Sequence, residues 1–483
     1  MSAVSLYTNA PALTGDMAEV IRLFLGNIAL LINEAGGDFS LTHTETESDG
    51  LRVVTVTDGE ISHETREKLT GDAVIDKRLR RRQAKLGVYQ VMKARTGMTP
   101  PWGSLTGIRP TRLLYANLDQ GMEMDAACAE LRRIFDVSAE KTDILRRIVT
   151  VQREMTLPQS DEADVYIGIP FCVTRCAYCS FLSGEVGKGE LLAPYTDALC
   201  AEIDAAKALL RQTGLRPRAF YMGGGTPTAL PPELLRRILN AASPILAGCR
   251  EITVEAGRPD TIDREKLQVL LDAGVTRISV NPQTMHDETL QRIGRRHSAA
   301  QTETAYRLAR EMGFGHINMD LIAGLPGEDL RMFRQTLAWL KALAPESMTV
   351  HTLSIKRSSL LHLWQAQLPD GDMVADMVRA GAEAAQEMGM RPYYLYRQKY
   401  MAGNQENVGY ALPGHECAYN VDMMEETANV IALGAGAASK RLFPEKGFIR
   451  RAFNVSDIRQ YIDRVQEMAE RKRELFLNEP AQR

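Results

Sequence analysis

A chain of 483 residues is too long for one ordinary core, and its net charge of -3, from Lys+Arg 58 against Asp+Glu 61, asks for no nucleic-acid partner. Its 45% hydrophobic and 25% charged residues are those of an average globular protein. Seven cysteines, an odd and modest number, indicate thiols in a reducing cytoplasm rather than a disulfide framework.

Near the start, the apolar stretch Val20 to Asn33 is interrupted by Arg22 and Asn27 and follows Asp16 and Glu19. It lacks the basic flank of a signal peptide and the length of a membrane span, so it predicts an amphipathic helix. Two strand-like runs follow, around Phe39 to Thr44 and Leu51 to Thr57, and then mostly helix. Six basic residues between Asp76 and Lys85 predict a solvated helix face, since no interleaved aromatics accompany them. Turn signals at Thr99 to Gly103 and Leu157 to Asp161 place a boundary near 160, so residues 1–160 are expected to form an α+β accessory domain.

Beyond that boundary, short apolar runs alternate with amphipathic helical stretches. The runs are Val165 to Pro170, Ala219 to Gly225, Glu251 to Gly257, Arg277 to Gln283, Ile317 to Gly324 and Met348 to Ile355. The helices are expected over Ala193 to Thr213, Pro232 to Leu246, Arg264 to Ala273, Ala299 to Met312 and Asp329 to Leu343. Six βα units imply an α/β fold with a parallel sheet over 161–360, curved into a partial barrel, with the working residues at the carboxyl ends of the strands. Residues 361–483, with a Gly/Ala segment at Ile431 to Ser439 and a charged last helix, form a helical or α+β extension expected to cover the substrate.

The first run leads into Cys172-Val-Thr-Arg-Cys176-Ala-Tyr-Cys179. This Cys-x3-Cys-x2-Cys spacing lets one loop offer three thiolates to a single centre, and an iron–sulfur cube held by three leaves one iron open. A structural zinc site would need a closed set of four, recruiting Cys417 or His415 from far away. Cys128, Cys200, Cys249 and Cys417 are scattered and read as buried thiols.

A cysteine triplet after the first strand of a βα array resembles the signature of radical S-adenosylmethionine (SAM) enzymes. The resemblance implies a [4Fe–4S] cluster on Cys172, Cys176 and Cys179, with SAM on the open iron as the source of a 5'-deoxyadenosyl radical. Tyr221-Met-Gly-Gly-Gly-Thr-Pro-Thr228 is similar to the segment that grips SAM's methionine end, which carries over Gly224, Gly225 and Thr226; its glycines are expected to bare amide donors. Glu255, Gln283, Arg295 and Asp320 follow in the order of the family's strand-end motifs. Tyr166-Ile-Gly-Ile-Pro-Phe-Cys172 narrows the resemblance to the oxygen-independent coproporphyrinogen III oxidase group. By that match Tyr166 contacts a first SAM. Tyr178, Gly225, Thr226, Gln283, Arg295 and Asp320 relate to a second, and Ala438, in a late Gly/Ala segment, lies near it. Pro101 to Pro110 and Tyr396 to Asn404 look closest to HemZ-type coproporphyrinogen dehydrogenases.

The implied activity is oxidative decarboxylation of coproporphyrinogen III propionates in haem biosynthesis, with a flavodoxin- or ferredoxin-like electron donor. Lys356, Arg357, Arg397 and Lys399 are the candidates for the substrate's carboxylates. One position departs from the pattern: the oxidases add a fourth cysteine two residues after the third, and Phe181 stands there. Related haem chaperones also carry a phenylalanine, which makes haem binding and transfer the rival reading, with His351, His415 and Cys417 as available ligands. Radical modification of RNA is disfavoured by the balanced charge.

Overall fold

A computed structural model of the chain describes residues 3–478 apart from 27, 108, 180–182, 355–358, 360, 362–367 and 400. It divides into two compact units, Met1–Arg146 and Arg147–Arg483. Among the described residues no helix is long and apolar enough to cross a membrane.

The first unit is built on a five-stranded sheet of β1 (Ala3–Thr8), β2 (Ala29–Ile32), β3 (Phe39–Ser48), β4 (Leu51–Thr57) and β5 (Ser62–Lys68), in the order β2-β1-β3-β4-β5. Helices Thr14–Leu25 and Ala73–Thr96 lay Met17, Ile21, Phe24, Val88, Tyr89 and Met92 on Val4, Leu6, Leu41, Val54 and Val56 of the sheet. The single helix expected over Val20 to Asn33 is instead a helix end and a strand. Gly26, at φ 69°, closes the helix in a conformation few other residues adopt, and the chain then re-enters the sheet as β2. The basic run of the long helix is largely paired: Arg80 with Glu45, Arg82 with Glu67, and Lys85 with Asp16 and Glu19.

In the second unit, the six runs become β6 (Glu162–Ile169), β9 (Arg216–Gly224), β10 (Glu251–Gly257), β11 (Arg277–Val280), β12 (Ile317–Ala323) and β13 (Ser347–Thr352). Between β6 and β9, β7 (Phe171–Cys172) and β8 (Gly184–Glu185) form a small two-stranded pair. The six pair in parallel in chain order, β6-β9-β10-β11-β12-β13. The intervening helices Leu192–Thr213, Pro232–Leu246, Arg264–Asp272, Ala299–Glu311 and Leu330–Leu343 bury one apolar face each. Three begin on side-chain caps: Asp263 accepts from the Lys266 amide, Ser298 and Gln301 form a capping box, and Asp329 accepts from the Met332 amide.

The segment after β13 joins both edges of this sheet. Strands β14 (Arg391–Tyr396) and β15 (Asn407–Ala411) continue from β13 in antiparallel fashion. On the far side β16 (Asn429–Leu433) runs parallel to β6, followed by antiparallel β17 (Ala438–Phe443) and β18 (Phe448–Phe453). The result is an eleven-stranded open sheet in which the partial barrel is extended on each side.

The last helix, Val465–Leu477, is pinned by a buried polar knot. Lys472 Nζ donates to Glu202 Oε1 at 2.6 Å and to Asn454 Oδ1 at 2.6 Å, while Glu202 Oε2 accepts from the Tyr461 hydroxyl at 2.6 Å and the Gly434 amide at 2.7 Å. Every member is paired, as a buried charge requires.

Candidate active site

The cysteine loop leaves β6 at its carboxyl end and is held from several sides. Cys172 pairs with Glu185 in the β7–β8 ladder, and its sulfur stands 3.6 Å from Thr226 Oγ1. The Ala177 amide donates to Ile293 O at 2.8 Å, the Thr174 hydroxyl to Gly294 O at 3.2 Å, and the Arg175 amide to Glu185 Oε1 at 3.1 Å. Cys172, Cys176 and Cys179 all keep some accessible surface. The three cysteines share this one loop, and Cys176 and Cys179 both stand near the Tyr178 hydroxyl.

Below the loop, residues of the parallel strands and of β14 share the inner face of the partial barrel and line a hollow. Tyr166, Tyr221, Glu255, Asp320, His351 and Tyr396 lie on inner strand faces yet are only half-buried. Tyr166 stacks on Tyr221 and Tyr419 at 6.4 and 6.2 Å between ring centroids. The Tyr221 hydroxyl donates to Glu255 Oε1 at 2.5 Å. Burial pushes Glu255 up to about 7, and Asp320 adds to this, while the Tyr221 hydroxyl and the Gly224 amide oppose it. Burial also works against the Asp320 carboxylate, but His351, Asn318 and Thr349 hold it below its ordinary value. Asn318 Nδ2 donates to Asp320 Oδ1 at 2.8 Å, and His351 Nε2 stands 3.7 Å from Oδ2. One carboxylate of the hollow is thus firmly ionised, and the other takes a proton near neutrality.

The glycine segment after β9 departs from expectation in one respect. Its amides are used within the chain: Gly224 toward Glu255, Gly225 to Ile169 O at 2.7 Å and Thr226 to Phe171 O at 2.8 Å. The glycines serve close approach instead. A Cβ on Gly225 would stand 2.6 Å from Phe171 O, and Gly224 adopts φ 103°, a conformation that side chains rarely tolerate.

Gln283 follows β11 and holds φ 66°, its amide donating to Asp320 O at 3.0 Å. Its Oε1 is buried with no partner. Arg295 is buried and donates from Nη1 to Asn281 O at 2.6 Å, its Nε also lacking a partner. Tyr178 and Cys176 beside Arg295 keep its pKa above the usual range although burial opposes the charge. An orphaned amide oxygen and a guanidinium N–H facing the same end of the sheet suit a polar, zwitterionic ligand such as SAM, and three thiols on one loop suit an iron–sulfur cluster. Ala438 opens β17 at this end, because the turn from β16 approaches β6: a Cβ on Gly434 would stand 2.4 Å from Gly168 O.

Of the residues considered for substrate carboxylates, Arg397 sits buried just past β14 and donates to the Asn404 side chain, and burial lowers it to about 10 against the pull of Glu406. Lys399 is exposed, while Lys356, Arg357 and Phe181 lie outside the described residues. The possible haem ligands fall at opposite ends of the sheet. His351 faces the hollow. His415 lies 3.2 Å from His316, at the amino end of β12, and the Cys417 sulfur donates to Glu251 Oε1 at 3.2 Å, at the amino end of β10. The Glu251 carboxylate also accepts from the Ala418 amide at 3.0 Å, capping helix Ala418–Glu425. From Ser347, which His316 touches, to His351 is four residues of strand, about 13 Å. One haem iron cannot reach both ends.

Sequence reasoning missed Arg258, Tyr221 and Tyr396. A basic residue three past Glu255, at the end of a parallel strand, was the available signal for Arg258; Tyr396 enters from an out-of-order strand and had none.

The radical SAM superfamily model matches residues 166–340. The chain is 42% identical over 395 residues to the oxygen-independent coproporphyrinogen-III oxidase-like protein HemZ of Bacillus subtilis (strain 168), covering 79% of this chain and 78% of that protein. It is 30% identical over 292 residues to the heme chaperone HemW of Escherichia coli (strain K12), covering 59% and 72%. Among solved structures, coproporphyrinogen III oxidase (HemN) from Escherichia coli, a radical SAM enzyme, shares the fold at a TM-score of 0.51 and 21% identity, over 64% of this chain and 70% of that one. Its motif, its parallel sheet and these likenesses agree: the chain belongs to the radical SAM superfamily, whose members work with a [4Fe–4S] cluster and SAM, and within it to the oxygen-independent coproporphyrinogen III oxidase-like proteins of the HemZ kind.

Proposed function

We propose that this protein is an anaerobic radical SAM oxidoreductase that decarboxylates the propionates of coproporphyrinogen III. The observation that carries the reading is the extent of the HemZ likeness. It covers 79% of 483 residues, more than the second unit, Arg147–Arg483, can supply, so it reaches into the first unit as well. The HemW likeness, at 59%, needs no part of the first unit.

Cys172, Cys176 and Cys179 would hold the cluster. Glu255 and Asp320 would face SAM's ammonium and hydroxyls, with Gln283 and Arg295 supplying the unsatisfied amide oxygen and guanidinium. Tyr166, Tyr178, Gly224, Gly225, Thr226 and Ala438 complete the set at the same end of the sheet. When bound, the cluster and SAM would supply a 5'-deoxyadenosyl radical able to take a hydrogen atom from the propionate carbon next to the pyrrole ring. The propionate then loses carbon dioxide and one electron to an acceptor, leaving a vinyl group, and two such events give protoporphyrinogen IX. An electron donor of the flavodoxin or ferredoxin class restores the cluster. The chain's own contribution would be a tyrosine-lined hollow whose rings pack against the pyrroles of the substrate and limit water.

Anaerobic reconstitution followed by SAM, reductant and coproporphyrinogen III tests this. Chromatography should show 5'-deoxyadenosine together with harderoporphyrinogen and protoporphyrinogen. Deoxyadenosine without porphyrinogen conversion, together with tight one-to-one haem binding, would replace the oxidase reading with that of a haem carrier.

A further inference from the structure

Arg258 stands two residues before Asp260 and is 3% exposed. Its planar fork is divided between two tasks. Nε and Nη2 engage Asp260 Oδ1 and Oδ2 at 3.0 and 2.9 Å, a bidentate pair. Nη1 turns the other way, into the cysteine loop, donating to Thr174 O at 3.0 Å and Thr174 Oγ1 at 2.8 Å, with the Cys176 sulfur at 3.9 Å. Arg295 approaches Cys176 from another element, so two buried guanidinium groups stand near this sulfur. None of the family-derived site residues accounts for Arg258.

We infer that Arg258 is a positioning residue that fixes the cysteine loop through Thr174 and, through its charge beside Cys176, sets how readily the bound cluster is reduced, with Asp260 as the counter-charge that moderates it. The inference rests on Cys176 being a cluster ligand; it is independent of whether the tetrapyrrole is oxidised or carried. Hydrogen bonds and net charge around cluster sulfurs are what place reduction potentials. Reduction adds one electron to the cluster, and a positive charge a few ångströms away in a low-dielectric site favours the electron-rich state. Removing Arg258's charge therefore lowers the midpoint, while removing Asp260's raises it. A purely structural role makes no such distinction, because both changes would loosen the same loop and act in the same direction.

The test is a redox titration followed by electron paramagnetic resonance on the anaerobically reconstituted full chain, without SAM, with iron and sulfide counted on each sample. In R258Q the reduced-to-oxidised ratio at fixed potential should fall about tenfold, equivalent to about 59 mV for one electron. In D260N the ratio should rise, and R258K should recover most of the R258Q loss. If R258Q fails to retain iron, D260N carries the test by itself: an upward shift supports the inference, and no shift or a downward one overturns it. Unmoved midpoints in both variants, or shifts of the same sign, overturn it while leaving the cluster assignment standing. A wild-type chain with no reducible iron–sulfur signal overturns both.

Discussion

Glu255 offers the sharpest test of how the hollow is built. Its carboxyl rises from 4.5 to about 7, chiefly because the surrounding strands strip it of water. Between those two values the folded protein binds more protons at this site than the unfolded chain does, so its contribution to stability falls as pH rises through the window. Above pH 7 the cost of holding the ionised group approaches about 3 kcal/mol, and at pH 5 most of it is absent. Glu255→Gln keeps an acceptor for the Tyr221 hydroxyl, 2.5 Å away, but cannot ionise. Urea denaturation of the cofactor-free variant and wild type at pH 5 and pH 8 reads the effect, since titrating groups not coupled to Glu255 cancel in the comparison. The variant should gain about 2 kcal/mol relative to wild type on going from pH 5 to pH 8. A difference independent of pH would mean that the carboxyl is well solvated, and the enclosed hollow would have to be abandoned. SAM adds a cation to the same space, so its presence should bring the carboxyl's titration down and shrink the difference.

Other consequences follow from single side chains. Cys176→Ala leaves two thiols on the loop, so reconstituted protein should keep little iron and form no 5'-deoxyadenosine, both measured on one sample. Gly225→Ala forces a methyl group to within 2.6 Å of Phe171 O, in backbone that cannot yield cheaply; a loss of about 1–3 kcal/mol in denaturant stability, with reduced iron uptake, is expected. Lys472→Met leaves Glu202 buried without its cation, which should cost about 3–5 kcal/mol. Limited proteolysis should then cut first near the last helix, Val465–Leu477; unchanged protection there would show that apolar contacts alone hold it.

The parallel core was readable because each strand carries its own apolar run and chain order equals sheet order from β6 to β13, so local pattern sufficed. Helix limits came out within a residue or two where caps marked them, as at Asp329 and Ser298. What escaped were strands without an apolar face. Ser62–Lys68 alternates exposed and half-buried polar residues and lies in its sheet because Val53 to Thr57 offers a partner, not because its composition favours it. Ala29–Ile32 was hidden by continuity with the helix before it, and a glycine at φ 69° separates them.

The site divides along the same line. Cys172 to Cys179, Glu255, Gln283 and Asp320 sit on or just past consecutive parallel strands, so their order in the chain already places them at one rim. Tyr396 comes from β14, which joins the sheet beyond β13 and β15, and Tyr419 from the helix Ala418–Glu425; no local pattern announces which edge a strand will take, and Ala438, on β17 at the other edge, was reached only through the family resemblance. That topology also decides the fate of Cys417. In sequence it is a free thiol beside a histidine, a plausible ligand; in the fold it begins the helix Ala418–Glu425, with its sulfur turned to Glu251 and its pKa pushed up by burial and by that carboxylate. A thiol held protonated, with its hydrogen bond committed to Glu251, is not poised to ligate a metal. If haem binds this chain, His351 is therefore the ligand to test, and His351→Ala should abolish the haem absorption shift that Cys417→Ala leaves unchanged; the reverse result would require the lower end of the sheet to open.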